Sequence, residues 1–293
     1  MANVVRFWCA IFFIALVVLA LPDWRQGSGD SPTHSANPSA NSKVFERPAQ
    51  PPEDKGDLKL SYHARSTGAA AKALGSNPSS IEHLMTDLNQ RLILPFDIQL
   101  SFEDCGEPDA HYDRIVHQIT LCHQLIDEYH SLFARKMKDK ARLDEAVKDA
   151  VASTFFHELG HGLIDAWKIP ITGREEDAVD QLSTLVLIEN TEDGERIALA
   201  GAISFGLYAD LEPGEQPYWD EHSLDEQRFF DSICLIYGHD PKKYDYLVRG
   251  EALPNERAEL CVEDYERISH AWQRLLAPYL KQPATSRPKL RLR

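Results

Sequence analysis

Apolar residues at positions 81, 84, 85, 88 and 92 recur with helical spacing, which predicts a helix over 81–94 ended by Pro95. Ile98, Leu100 and Phe102 then alternate with polar residues and predict a strand at 97–103. Ile115, Ile119 and Leu121 suggest a second strand at 115–122, after a turn-rich stretch EDCGEPDAHYDR. Longer helical patterns follow at 123–138, 144–166, 174–190, 193–210, 224–237 and 256–279. The expected fold class is therefore α+β, mostly helical, with a small sheet. No internal repeat is visible.

The first 58 residues follow different rules. Positions 7–22 carry no charge and come after Arg6, a basic start followed by an apolar run. Sixteen helical residues would span about 24 Å, against roughly 30 Å of membrane hydrocarbon. Residues 1–25 thus fit a cleaved signal peptide better than an uncleaved anchor, although both readings stand. The implied destination is export, periplasmic or secreted, or attachment to a membrane by residues 7–22. Residues 26–58 are rich in Ser, Pro, Gly and Asn and read as a disordered linker. The folded domain is expected at 59–280, followed by a basic tail at 281–293.

Charge narrows the partners. The formal net charge is -15, and residues 59–280 hold 21 basic against 40 acidic residues, a net of -19. Such a body repels phosphate backbones, so nucleic acid is excluded as the expected partner. Membrane contact is expected only through the N-terminal segment.

Cys9 falls in the apolar leader, leaving Cys105, Cys122, Cys234 and Cys261. An even number in an exported protein predicts two disulfides. Of three connectivities, sequence proximity favours Cys105 with Cys122 and Cys234 with Cys261. The absence of any C-x2-C pair argues against a four-thiolate zinc site.

The chemistry concentrates in the helix at 144–166, which contains His157-Glu158-Leu159-Gly160-His161. Four residues advance a helix by about 400°, so the two imidazoles stack on one face, one turn apart. That pair suits a Zn2+ ion, with Glu158 offset by about 100° to act on a water. A third protein ligand is needed, and the next helix offers Glu176. Asp180, four residues on, is positioned to hydrogen-bond a ligand histidine. Glu175 is assigned instead to a capping box with Thr172. Asp165 is the rival third ligand, because it extends the His157–His161 stack by another turn. His222 precedes a second capping-box pattern, Ser223 to Glu226, from which a side chain can enter a cleft. His239 reads as a helix-end residue.

H-E-x-x-H followed by a helix bearing E-x-x-x-D resembles the gluzincin arrangement of thermolysin-like peptidases. Here the gap from His161 to Glu176 is shorter than theirs. The closer resemblance is to an uncharacterised bacterial family of metallopeptidases, over about residues 80–280. It is carried by Cys105-Gly106, Ile119-Thr-Leu-Cys122, His157-Glu-Leu-Gly-His161, Gly173-Arg-Glu-Glu-Asp177, Asp180-Gln181, His222-Ser-Leu-Asp-Glu-Gln-Arg228, Tyr237-Gly238 and Cys261. The resemblance implies a zincin-like domain and a peptide or protein substrate. It also implies a substrate-receiving strand beside the active-site helix, at 116–122, and an oxyanion-stabilising residue, His222 or Tyr218. The expected function is zinc-dependent peptide hydrolysis with Glu158 as general base and His222 as a second catalytic residue. Two alternatives stand beside it: a zinc-binding module without turnover, and a disulfide-stabilised helical interaction module.

Overall fold

The computed structural model describes residues 52–62, 79–211, 218–281 and 289–291. The leader expected at 1–25 lies outside them, as do most of the linker expected at 26–58 and of the tail expected at 281–293. Among the described residues, no helix is long and apolar enough to cross a membrane.

In chain order the elements are β1 Leu58–Tyr62, α1 Ser79–Asn89, β2 Ile98–Glu103, β3 Ala110–Asp113, β4 Gln118–Cys122, α2 His123–Ala134, α3 Lys140–Trp167, α4 Glu175–Asn190, α5 Gly194–Ala209, α6 Asp225–His239, α7 Asp245–Arg249 and α8 Asn255–Leu276. A 3-10 turn, Ala277–Tyr279, follows α8. The class is α+β and mostly helical, with one four-stranded sheet in the order β1-β2-β4-β3. β1, β2 and β4 run parallel, in the register Leu60 to Leu100 to Ile119. β3 returns antiparallel on β4, pairing Tyr112 with Ile119.

Three differences from the sequence reading have local causes. The first helix stops at Asn89 rather than running to 94. The Asn89 side chain accepts from the Leu58 N–H at 2.7 Å and donates to the Leu58 carbonyl at 3.0 Å, capping β1 instead of extending α1. Leu94 accepts from the N–H groups of Lys55 and Gly56, so the packed body includes residues just ahead of Leu58. The strand expected at 115–122 is broken at its start. Asp113 Oδ1 accepts from the N–H groups of Ile115 and Val116, and His117 has φ 54°, which makes residues 114–117 a turn. Ile115 is left 89% exposed. β4 therefore lies inside the sheet, between β2 and β3, and cannot receive a peptide as expected of 116–122; the edge on its side of the sheet belongs to β3.

The 28-residue α3 is the centre of the fold. Asp139 caps its start by accepting from the Arg142 N–H, and Lys168 ends it in a left-handed conformation at φ 50°. Buried side chains surround much of it, Val147, Phe155, Leu159, Leu163 and Trp167 among them. This is the signature of a helix walled in by others. α2, α4, α5 and the β3–β4 pair form that wall. Disulfides join Cys105 to Cys122 and Cys234 to Cys261, with Cα separations of 5.5 and 5.1 Å. The first ties the β2–β3 connection to the end of β4, and the second fastens α6 to α8.

Candidate metal centre

His157 and His161 occupy successive turns of α3, with ring centroids 5.1 Å apart. α4 approaches this face closely. A Cβ added to Gly160 would lie 3.0 Å from Val179 Cγ1, so the glycine between the two histidines sets how near α4 can come. That approach brings the first turn of α4 against the imidazoles. Glu176 Oε2 lies 3.1 Å from His157 Nε2, and Glu176 Oε1 lies 3.3 Å from His161 Nε2. One ligand atom from each of the three residues falls within 4.8 Å of the others, a geometry able to hold a metal ion.

The remaining ring nitrogens are also engaged. His157 Nδ1 contacts Asp180 Oδ1 and His161 Nδ1 contacts Glu175 Oε1, each at 2.8 Å. Each carboxylate is in turn gripped by an arginine. Arg228 donates to both oxygens of Asp180, at 2.7 and 3.0 Å. Arg114 donates to Glu175 Oε1. Both histidines thus have a carboxylate and an arginine behind Nδ1 and turn Nε2 toward Glu176. Nδ1–H donation to a carboxylate fixes the tautomer that leaves Nε2 with a lone pair, as a metal-binding histidine requires.

The electrostatics follow from burial and these contacts. Burial alone would lower His157, but hydrogen bonds with Asp180 and Glu176 outweigh it and raise the ring to about 9. His161 is also raised: burial opposes its charge, and Glu176 and Glu175 overcome that. Burial would lift Glu176, yet the three histidines 157, 161 and 222 hold its carboxyl far below the usual range. Asp180 is likewise depressed against its burial, by Arg228 and His157. Glu158 differs: burial dominates and pushes its carboxyl up, with His157 and His161 pulling the other way. These directions belong to the protein without an ion, whose charge would be the largest in the site.

His222 Nε2 lies 3.1 Å from Glu176 Oε2, and its Nδ1 lies 3.1 Å from Asp220 Oδ1. It arrives from the α5–α6 connection, which is pinned to the start of α4. Arg174 donates to the His222 carbonyl at 3.0 Å, and Ser223 Oγ donates to Asp177 Oδ1 at 2.6 Å. A cavity of about 240 Å³ opens beside these groups, lined by Ala110, Ser153, Glu158, Phe205, His222 and Arg228 among others.

Several expectations change. Glu175 does not form a capping box with Thr172: Arg174 is the N-cap, without a side-chain bond, and the Glu175 carboxylate goes to His161 and Arg114. Asp165 is occupied elsewhere, accepting from Tyr112 OH at 3.1 Å and from Lys168 Nζ at 2.7 Å. The second box is displaced too. α6 begins after Leu224, whose N–H donates to Gln227 Oε1 at 3.2 Å, and Ser223 faces α4. Tyr218 is 83% exposed. His239 ends α6 against Tyr265 OH at 2.9 Å. Cys105, Cys122, Cys234 and Cys261 pair as sequence proximity favours.

The roles of Arg114, Arg228 and Glu175 are not assigned by the sequence patterns, although Arg228 ends the segment His222–Arg228 that carries the family resemblance. Arg228 did carry a signal. It sits four and seven residues before the buried Ser232 and Leu235, which puts a charge on the inward face of a helix.

A family model described as "Putative metallopeptidase" matches residues 63–276. No curated protein and no solved structure matches the chain.

Proposed function

The chain belongs to the family described as "Putative metallopeptidase", and on that premise we propose that it is a zinc-dependent peptidase. The observation that carries the reading is the convergence of two Nε2 atoms and the Glu176 carboxylate while both Nδ1 atoms are held by acids. Two imidazoles and one carboxylate are a donor set suited to catalytic zinc. His157, His161 and Glu176 would hold the ion, with Asp180 orienting His157. Zinc, when bound, supplies Lewis acidity that polarises the scissile carbonyl and acidifies water.

The protein's own groups do the rest. Glu158 is buried and raised, which suits a carboxylate that must take a proton from water and give it to the leaving amine. His222 lines the same cavity and is raised mainly by Glu176. Its Nε2 faces Glu176 and its Nδ1 faces Asp220, so it would steady developing negative charge by turning Nε2 from Glu176 once that carboxylate holds the metal. The substrate main chain would pair along β3, the edge strand whose first residue lines the cavity. The two disulfides support an oxidising, exported setting.

Metal analysis and a casein hydrolysis assay test this. One zinc per chain is expected, and chelation should abolish hydrolysis. Glu158→Gln should keep the zinc and lose about 10²–10⁴-fold in rate. A Glu158→Gln protein cleaving at the wild-type rate with zinc bound would sink the mechanism. Stoichiometric zinc without hydrolysis of any peptide would favour a binding module instead.

A further inference from the structure

The β3–β4 hairpin is clasped to the motif helix at two points. Tyr112 OH donates to Asp165 Oδ2 at 3.1 Å, one turn beyond His161. Its ring also lies on Gly162, where an added Cβ would come within 3.4 Å of Tyr112 Cε2. The turn itself is braced. Asp113 Oδ1 accepts from the Ile115 and Val116 N–H groups at 2.7 and 3.2 Å, and His117 stacks on Phe96 with centroids 3.7 Å apart. Held this way, the turn delivers Arg114 to Glu175. The oxygen it reaches, Oε1, is the one that contacts His161 Nδ1 at 2.8 Å.

We propose that Arg114 is a positioning residue for His161, acting through Glu175. It steadies the carboxylate that fixes the imidazole with Nε2 turned to Glu176, and so links the edge strand β3 to the metal centre. The inference rests on the reading of His161 as a metal ligand. An unaided Glu175 could rotate to solvent, since its side chain is 25% exposed and its helix start has no side-chain cap. Arg114 itself is 55% exposed, and the Glu175 carboxylate left by its removal is 25% exposed and keeps His161 as a partner, so no fully buried, unpaired charge is stranded. That separates positioning from support of the fold.

The test uses the full-length protein and two readouts: zinc affinity by competition with a chromogenic chelator, and the visible spectrum after cobalt(II) substitution. Arg114→Met should bind zinc about tenfold more weakly, the lower end of what outer partners of a metal ligand contribute, and should shift the cobalt bands. Arg114→Lys should recover part of the affinity, because it keeps the charge but not the planar fork. Glu175→Gln should weaken binding too, and adding Arg114→Met to it should cost nothing further. The melting temperature of the metal-free protein should not change with Arg114→Met. Wild-type affinity and cobalt bands in Arg114→Met, or additive losses in the double variant, would overturn the proposal. If wild type binds neither metal, the zinc reading falls and this inference with it. If wild type binds zinc and Arg114→Met is indistinguishable from it, only this inference falls.

Discussion

Arg228 closes a two-pronged grip on Asp180, with Nε 2.7 Å from one carboxylate oxygen and a terminal nitrogen 3.0 Å from the other. Both side chains are 13% exposed, and the guanidinium also lies over the Phe205 ring at 3.9 Å. Replacing Arg228 with Met should therefore strand a buried carboxylate. The expected loss is about 3–5 kcal/mol of stability, read by urea unfolding, together with roughly 10–100-fold weaker zinc binding. Arg228→Lys should not restore either quantity, because an ammonium cannot reproduce the fork. Unchanged unfolding in Arg228→Met would mean that the grip is not formed in solution.

Gly160 offers a second handle, since its missing side chain sets the α3–α4 spacing. Gly160→Val should cost about 1–3 kcal/mol through overpacking and lower zinc affinity by moving Glu176 away from the histidines. Gly160→Ala should be milder, and adding Val179→Ala should relieve it. A Gly160→Ala/Val179→Ala protein less stable than either single variant would refute the close-contact argument.

The disulfides close loops of different length, with sequence separations of 17 and 27 residues. Chain entropy alone assigns about 3 kcal/mol to the shorter and about 3.5 kcal/mol to the longer. Thermal melts of Cys105→Ala/Cys122→Ala and Cys234→Ala/Cys261→Ala should both fall, the second slightly further. Melting under reducing conditions should fall below either one. No change on reduction would argue that the pairs are not formed in the protein as made.

Acid dependence should show a contribution from Asp149, which sits on the buried side of α3 against Arg196. Burial pushes its carboxyl up to about 6 despite Arg196. The folded value lies above the unfolded one of about 3.9, so the folded protein binds the extra proton between these limits. Stability from this group is present below about pH 4 and is lost as pH rises through about 6. Asp149→Asn should remove that slope and relieve a penalty of roughly 3 kcal/mol at pH 7, about two pKa units at about 1.4 kcal/mol each. A pH 4–6 stability profile identical to wild type would reject the assignment.

What could be read from the chain beforehand follows the reach of local rules. Helical periodicity placed α2 to α6 and α8 within a few residues, and alternation found β2, because each depends on neighbours a turn or two apart. β1 and β3 escaped for the opposite reason. Leu58 and Leu60 sit where the Pro- and Ser-rich stretch ends, and β3 is only four residues long, Ala110–Asp113. The stacking of His157 on His161 is a consequence of spacing. The choice between Asp165 and Glu176 is not, because it turns on Tyr112 and Lys168 claiming the first. A local pattern assigns Glu175 to a helix cap, while its partners are His161, 14 residues back, and Arg114, 61 residues away. No short-range rule connects them.

The two arginines behind the histidines are unequally covered: Arg228 is 13% exposed and Arg114 is 55% exposed. Mobile ions therefore reach one and not the other. The screening length shrinks from about 8 Å at physiological ionic strength to about 3 Å at 1 M. Concentrated brine should relax the Arg114 side of the centre while leaving the Arg228 side as it was. Zinc affinity should then decline with added salt in the wild-type protein and become nearly salt-independent in Arg114→Met, a contrast that chelator competition at several ionic strengths would record. The ionic strength around the protein thus becomes a dial on one histidine and not on its neighbour.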